Sequence, residues 1–284
     1  MPPLIWHIRS ISLDLTSHAI LMGILNVTPD SFSDGGNFFS TQKAIEHGLK
    51  MLEDGATILD IGGESTRPGS EPVSLNQELE RVLPVVEGIL RHAPNAILSM
   101  DTTKAKVAEE ALLRGAAIIN DVSALRADPE MLPTILPYQP GIVLMHMLGT
   151  PKTMQIAPQY QNVCEEVANF LGQQFHSAVK SGIRADSIVL DPGIGFGKSL
   201  QHNLMILQNL PKFMINDRPL LLGISRKSMI AHALGVDSPE FRLQGTLTLT
   251  SLARMAGVRI HRVHDVAENL QVLRMTEAIL PPTP

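Results

Sequence analysis

The stretch Leu190–Ser199, LDPGIGFGKS, sets three glycines at alternate positions ahead of Lys198 and Ser199. Its reading decides which α/β fold the chain can adopt. A phosphate-gripping P-loop places four residues between its first glycine and the Gly-Lys pair. Counting back from Gly197-Lys198, that first position holds Pro192, and Gly193 stands one residue too close. The dinucleotide fingerprint fails as well: Gly193 and Gly195 satisfy its first half, but the third glycine falls on Lys198. That fingerprint belongs to the first strand-helix unit of its fold, and this stretch lies in the sixth. What remains is a buried strand ending in Asp191, then a Pro-Gly turn that lets backbone come close to a ligand.

Outward from this stretch the same unit repeats. Short aliphatic runs occur at Ala19–Val27, Thr57–Gly63, Ala96–Thr102, Ala117–Ser123, Gly141–Met147, Ser187–Gly193, Pro219–Ser225 and Val258–His264. Runs this short and this uniformly apolar read as strands buried on both faces. Between them, Ser40–Ala56, Leu75–Ala93, Lys104–Ala116 and Cys164–Gly182 have helical spacing, the first with Ser40 as its cap and several closing on glycine. Eight strands alternating with helices over 284 residues, with no low-complexity linker, predict an α/β protein with a (β/α)8 TIM barrel. An open doubly wound sheet is the alternative. Residues 1–284 read as one domain: the alternating segment Leu4–Ser17 predicts an N-terminal β-hairpin within residues 1–18 that covers the barrel floor, and 19–280 form the barrel.

Composition excludes some function classes. The formal net charge of -5 repels a polyphosphate backbone, so no nucleic-acid partner is expected. The single cysteine, Cys164, allows no internal disulfide, which fits a reducing compartment. It reads as a core residue at a helix start. No run has the length of a membrane span and the N-terminus lacks a signal-peptide pattern, so a cytoplasmic protein with no membrane partner is expected. No nucleophile-elbow pattern and no zinc spacing is present.

The strand ends carry the chemistry. They read Asn26, Asp60, Asp101, Asn120 with Asp121, His146, Asp191, Ser225 with Arg226 and Lys227, and Arg262 with His264. One polar strand end can simply cap the next helix; eight in register predict a convergent site at the C-terminal mouth. Asp191, when ionised, can accept from two adjacent N–H groups of an amino-pyrimidine-like ring. Asn26 can offer its amide oxygen to a hard cation such as magnesium. Arg67 suits a carboxylate or phosphate, with Thr66 beside it and Pro68 stiffening the turn. The polar, glycine-rich loop Thr28–Asn37 reads as a mobile lid. Arg226, Lys227, Arg262 and His264 sit where barrels usually bind phosphate, and as a cluster they match a diphosphate.

Taken in order, MGILNVTPDSFSDGG, DIGGESTRPGS, SMDT, INDVS, LMHMLGTPKTMQ, LDPGIGFGKS, GISRKSMI and RVHDV, from about residue 20 to 270, resemble the dihydropteroate synthase family. The resemblance implies a TIM-barrel homodimer that joins dihydropterin hydroxymethyl diphosphate to 4-aminobenzoate and releases diphosphate. It implies that Asp101, Asn120, Asp191 and Lys227 hold the pterin, that Arg262 stacks on it, and that Val122, Met145 and Gly223 line its pocket. It assigns magnesium to Asn26, with Thr66, Arg262 and His264 on the diphosphate oxygens. It assigns aminobenzoate to Arg67, Pro68, Phe196, Gly197, Lys227 and Ser228, with Phe32 closing the site and Thr66 beside it. Asp101, Asp191, Lys227, Arg262 and His264 then form the catalytic group. Two departures stand out. Ala231 replaces a frequent glycine, and His261 replaces an apolar residue and is expected to point away from the barrel centre. STRPG and GIGFGK are intact, so sulfonamides, which mimic aminobenzoate, are expected to inhibit. The chemistry needs a leaving group neutralised rather than a nucleophile activated, and an SN1-like order follows. A folate-to-corrinoid methyl transferase would have no use for STRPG or SRKS, and a non-catalytic pterin binder would be expected to lose Asn26, Arg262 or His264.

Overall fold

A computed structural model of the chain describes residues 3–28, 36–65, 69–235 and 241–281, with the backbone alone for 36–40. Phe32, Thr66, Arg67 and Pro68, and residues 29–35 of the expected lid, lie outside the described residues. Strands β1 (Ile5–Ile8) and β2 (Ile11–Asp14) form an antiparallel hairpin. There follow β3 (Ile20–Asn26), α1 (Gly36–Glu53), β4 (Ile58–Gly62), α2 (Leu75–His92), β5 (Ile97–Asp101), α3 (Ala105–Leu113), β6 (Ile118–Asp121) and α4 (Met131–Ile135). The second half holds β7 (Gly141–Met145), α5 (Val163–Lys180), β8 (Ile188–Asp191), α6 (Leu200–Gln208), β9 (Leu221–Leu222), α7 (Ser228–Leu234), α8 (Arg242–Met255), β10 (Ile260–Val263) and α9 (Val266–Ile279). The eight strands β3 to β10 pair in parallel in the order β8-β7-β6-β5-β4-β3-β10-β9, and a bridge between Leu190 and Leu220 joins the two ends. The sheet therefore closes into a barrel, which rules out the open sheet with its two free edges.

Alternation along each strand divides the residues into two rows. One row, including Leu21, Leu59, Leu98, Ile119, Ile142, Leu190 and Leu222, faces the helices in the larger core. The other packs inside: Met22, Ile58, Ile97, Ile118, Val143, Val189, Leu221 and Ile260 form a floor with Trp6, Ile8 and Leu15. The hairpin is fastened under this floor by the Trp6 indole N–H, which donates to the Ser187 carbonyl at 2.8 Å, and by Arg218 Nη2, which donates to the Ile5 carbonyl at 2.9 Å. Two residues further along, the inward row changes character. Ile58 gives way to Asp60, Ile118 to Asn120, Val189 to Asp191, Leu221 to Gly223 and Ile260 to Arg262. The polar layer thus rests directly on the apolar floor.

Local expectations hold with one exception. Gly55, Gly115 and Gly182 close their helices with left-handed backbone. Helix α1 begins at Gly36, so Ser40 is an interior residue and not a cap. Nothing in Asn37–Phe39 breaks a helix, so it propagates one turn further back. Cys164 lies buried in the first turn of α5, with Sγ 3.6 Å from the Met205 carbonyl, and burial pushes its thiol pKa up. His261 shares the outward row with Leu222 and is fully buried on the helix side of β10. Burial first, and Arg254 second, lower its pKa to about 4. Among the described residues, no helix is long and apolar enough to cross a membrane.

Candidate active site

The loop after β8 answers the question its glycines raise. Several of its backbone groups are paired within the protein. The Gly193 amide donates to Asp191 Oδ1 at 2.7 Å, the Gly195 amide to Asn203 Oδ1 at 2.7 Å and the Phe196 amide to the Gly193 carbonyl at 3.1 Å. The Gly195 carbonyl accepts from Gln155 Nε2 at 2.7 Å, and the Gly197 carbonyl from the Tyr160 hydroxyl at 2.8 Å. Ser199 caps α6 in a capping box with His202, so Asp191 is released from capping duty. The expected close approach is real, but it is to protein: a Cβ on Gly193 would stand 1.9 Å from the His146 carbonyl oxygen.

At the mouth, Arg262 bridges two carboxylates. Its Nε donates to Asp60 Oδ2 at 2.6 Å and its Nη2 to Asp101 Oδ2 at 2.7 Å, while Asn120 Nδ2 donates to the same Asp60 oxygen at 2.9 Å. Four strand ends are locked together by this fork. Burial raises the pKa of Asp101 to about 7; Arg262 opposes that rise, and Asp60 adds to it. Burial likewise raises Asp191, against the pull of Lys227 and of the Gly193 amide. Asp191 Oδ2 and the Arg262 side chain flank Gly223, where an added Cβ would meet nothing closer than 3.8 Å. Lys227 donates to the Ile194 carbonyl and lies 4.3 Å over the Phe196 ring. Burial lowers its pKa to about 8, with Asp191 holding it up. Val122, Met145, Met147 and Met154 pack into a small apolar cluster that also meets Phe196.

The structure therefore brings Asp101, Asn120, Asp191, Gly223, Lys227 and Arg262 to one mouth, with Val122, Met145 and Phe196 forming its apolar wall. Asn26 ends β3 beside them: a Cβ on Gly62 would stand 3.7 Å from Asp101 Oδ2 and 3.9 Å from Asn26 Oδ1. His264 meets Ser225, whose hydroxyl accepts from the His264 amide at 3.1 Å and lies 3.0 Å from Nδ1. Ser228 opens α7 and is exposed, and Gly197 packs against Leu148. The expected quartet of basic groups is not one cluster. Arg226 has a left-handed backbone, φ 57°, which turns it outward onto Asp265, with Nε donating to Oδ2 at 2.9 Å. Asp121 faces the helices and caps its own turn through the amides of Ser123 and Leu125. His146 is tied to Lys198. Asp60 was visible as a strand end without a role, and it proves to be the joint acceptor for Arg262 and Asn120. Among the described residues, no group of three acidic, histidine or cysteine side chains could hold a metal by itself.

A family model described as pterin binding enzyme matches residues 22–264. The dihydropteroate synthase of Escherichia coli K12 is 48% identical over 269 residues, 95% of this chain and 94% of that protein. The chain belongs to the dihydropteroate synthase family. Solved family members superpose closely. The Yersinia pestis dihydropteroate synthase, determined with a sulfonamide drug complex, has a TM-score of 0.90 at 42% identity, covering 96% of this chain and 98% of that one. The Xanthomonas albilineans dihydropteroate synthase with 4-aminobenzoic acid has a TM-score of 0.91 at 40% identity, covering 98% and 100%. Like the rest of the dihydropteroate synthase family, the chain is a transferase of folate biosynthesis.

Proposed function

We propose that the barrel mouth condenses (7,8-dihydropterin-6-yl)methyl diphosphate with 4-aminobenzoate to 7,8-dihydropteroate and diphosphate. The observation that carries this reading is the Asp191 carboxylate: Oδ1 is fixed by the Gly193 amide, while Oδ2 faces the gap at Gly223. A fixed, buried acceptor beside a missing side chain suits the paired N–H groups of a flat heterocycle. Asp101, Asn120 and Lys227 complete the pterin's polar rim, and Val122 and Met145 its apolar wall. Arg262, held flat by Asp60 and Asp101, stacks on the ring, and its Nη1 edge with His264 and Thr66 takes the diphosphate. Phe196, Gly197, Lys227 and Ser228, with Phe32, Thr66, Arg67 and Pro68, take the aminobenzoate.

Magnesium fits this donor set only as a shared ion. It keeps most of its water and substrate oxygens, and Asn26 Oδ1, facing the mouth beside Asp101, is the one protein ligand we assign. When bound, it neutralises charge on the diphosphate oxygens. The chain's own groups do the rest: Arg262 and His264 stabilise the departing diphosphate, and the carboxylates Asp101 and Asp191 stabilise positive charge on the pterin methylene. The aromatic amine is already nucleophilic, so the order is SN1-like. The test is diphosphate release from the dihydropterin diphosphate with and without aminobenzoate, magnesium and a sulfonamide. Dihydropteroate formation, magnesium dependence, sulfonamide inhibition and some release before amine arrives are expected. Pterin binding without release would refute the reaction, and release strictly dependent on amine would refute the order.

The same reading makes the protein a cytoplasmic homodimer. The last turns of α8 and α9 expose Leu252, Met255, Met275 and Ile279, each 55% or more accessible, a face apolar enough to be covered by a second copy. A monomer mass in sedimentation equilibrium would overturn the dimer, and recovery outside the cytoplasmic fraction would overturn the location.

A further inference from the structure

Lys198 occupies the place where a P-loop has its phosphate lysine, yet its side chain turns inward and is 2% exposed. Its Nζ lies 2.9 Å from the Gly193 carbonyl, 3.0 Å from the Phe196 carbonyl, 3.3 Å from the His146 carbonyl and 2.9 Å from His146 Nδ1. These acceptors belong to two loops, the one after β7 and the one after β8. Burial lowers the Lys198 pKa well below that of a free lysine, with Asp191 opposing the fall, and its amine on a flexible stem still offers N–H groups to carbonyls converging from different directions. A methionine would fill the same space and leave buried carbonyls unpaired.

The loop so held carries two groups that meet Lys227: the Ile194 carbonyl, which accepts from its Nζ, and the Phe196 ring beneath it. Lys198 fixes the peptides on either side of both. We propose that Lys198 is a positioning residue for the aminobenzoate half of the reaction, tying the loop after β8 to His146 so that Phe196 and Lys227 stand in register for the second substrate. The inference rests on the proposed reading of Phe196 and Lys227 as part of the aminobenzoate subsite. Two further contacts agree with it. The His146 ring is itself braced edge-on against Phe170, with centroids 4.9 Å apart. Burial and Lys198 also lower its pKa to about 3, so the imidazole stays neutral and Nδ1 can accept. The outer side of the loop is tied separately, by the Tyr160 hydroxyl on the Gly197 carbonyl.

The test is steady-state kinetics of Lys198→Met and Lys198→Gln with each substrate varied in turn. The KM for 4-aminobenzoate is expected to rise about tenfold or more, equivalent to at least about 1.4 kcal/mol, while the KM for the dihydropterin diphosphate changes less than about twofold. Glutamine, which keeps two donors, is expected to fall between wild type and methionine. Equal rises in both KM values, or a loss of kcat alone, would show a merely structural role and overturn the inference. Tyr160→Phe keeps the test open if neither lysine variant folds: it loosens the same loop from its half-buried side, and an unchanged aminobenzoate KM would count against the proposal. A wild-type protein that forms no dihydropteroate would refute the functional reading instead.

Discussion

Arg262→Met is expected to lower kcat/KM by about 100- to 1,000-fold, the usual effect of removing one charge-stabilising donor from a preorganised site. It is also expected to lower the melting temperature. The two consequences have one cause. Arg262 is the cation between Asp60 and Asp101, and Asp60 Oδ1 is already a buried oxygen with no hydrogen-bond partner among the described residues. Taking away the guanidinium leaves two buried carboxylates facing each other, and breaking such a pair from one side costs about 3–5 kcal/mol. The protein has one relief, which is to protonate. Asp101 has its pKa raised to about 7 even with Arg262 present, and without the cation it rises further. A carboxyl whose pKa is raised by folding destabilises the fold above that pKa, and the penalty fades as pH falls through it. The melting-temperature gap between Arg262→Met and wild type is therefore expected to be wide at pH 8 and narrow at pH 6. A gap independent of pH would mean that the carboxylates do not feel the arginine. Arg262→Lys is expected to rescue little, because one ammonium cannot span both acids as the planar fork does.

The barrel was legible in the sequence because a parallel sheet is buried on both faces. Ile118-Ile119 and Val189-Leu190 need no alternation to declare themselves as strands, and the repeated run-helix-run order leaves few topologies. The position of the site was legible for the same reason: Asp60, Asp101, Asn120 and Asp191 are polar residues at the ends of apolar runs. What sequence reasoning could not see is the direction of individual side chains. Arg226 and Lys227 are adjacent and equally basic, and the left-handed backbone at Arg226 decides that only Lys227 reaches the mouth. Asn120 and Asp121 are adjacent and equally polar, and the alternation of β6 sends one to Arg262's acceptor and the other to its own turn. Asp60 showed itself as a polar strand end but not its role, since its partners lie 60 and 202 residues away in the chain. The spacing around Lys198 excluded a P-loop, but it could not show where the four-carbon stem bends, and so it gave no sign that Lys198 ties the loop to His146.

Gly193→Ala is expected to abolish dihydropterin diphosphate binding and to destabilise the protein by several kcal/mol. Two penalties add. Gly193 has φ +67°, and a side chain in left-handed backbone costs about 1–2 kcal/mol. The methyl would also stand 1.9 Å from the His146 carbonyl oxygen and 3.0 Å from its carbon. That neighbour is backbone and cannot rotate aside, so the loops after β7 and β8 must separate. Separation breaks the Lys198 ties to His146 and shifts Gly193, whose amide holds Asp191 Oδ1. Asp191 then loses the contact that fixes its carboxylate toward Gly223. Gly235→Ala separates the two penalties, because Gly235 has a nearly equal φ of +64° and a Cβ there would meet nothing within 4 Å among the described residues. It is expected to cost only the left-handed term, about 1–2 kcal/mol, with turnover unchanged. Chemical denaturation of both variants, together with calorimetric binding of the pterin diphosphate, makes the comparison. If the two alanines prove equally mild, the approach of Gly193 to His146 does not hold the site in shape. If Gly193→Ala alone loses the ligand, the glycines of LDPGIGFGKS serve to let two loops of this barrel touch, and not to grip a phosphate.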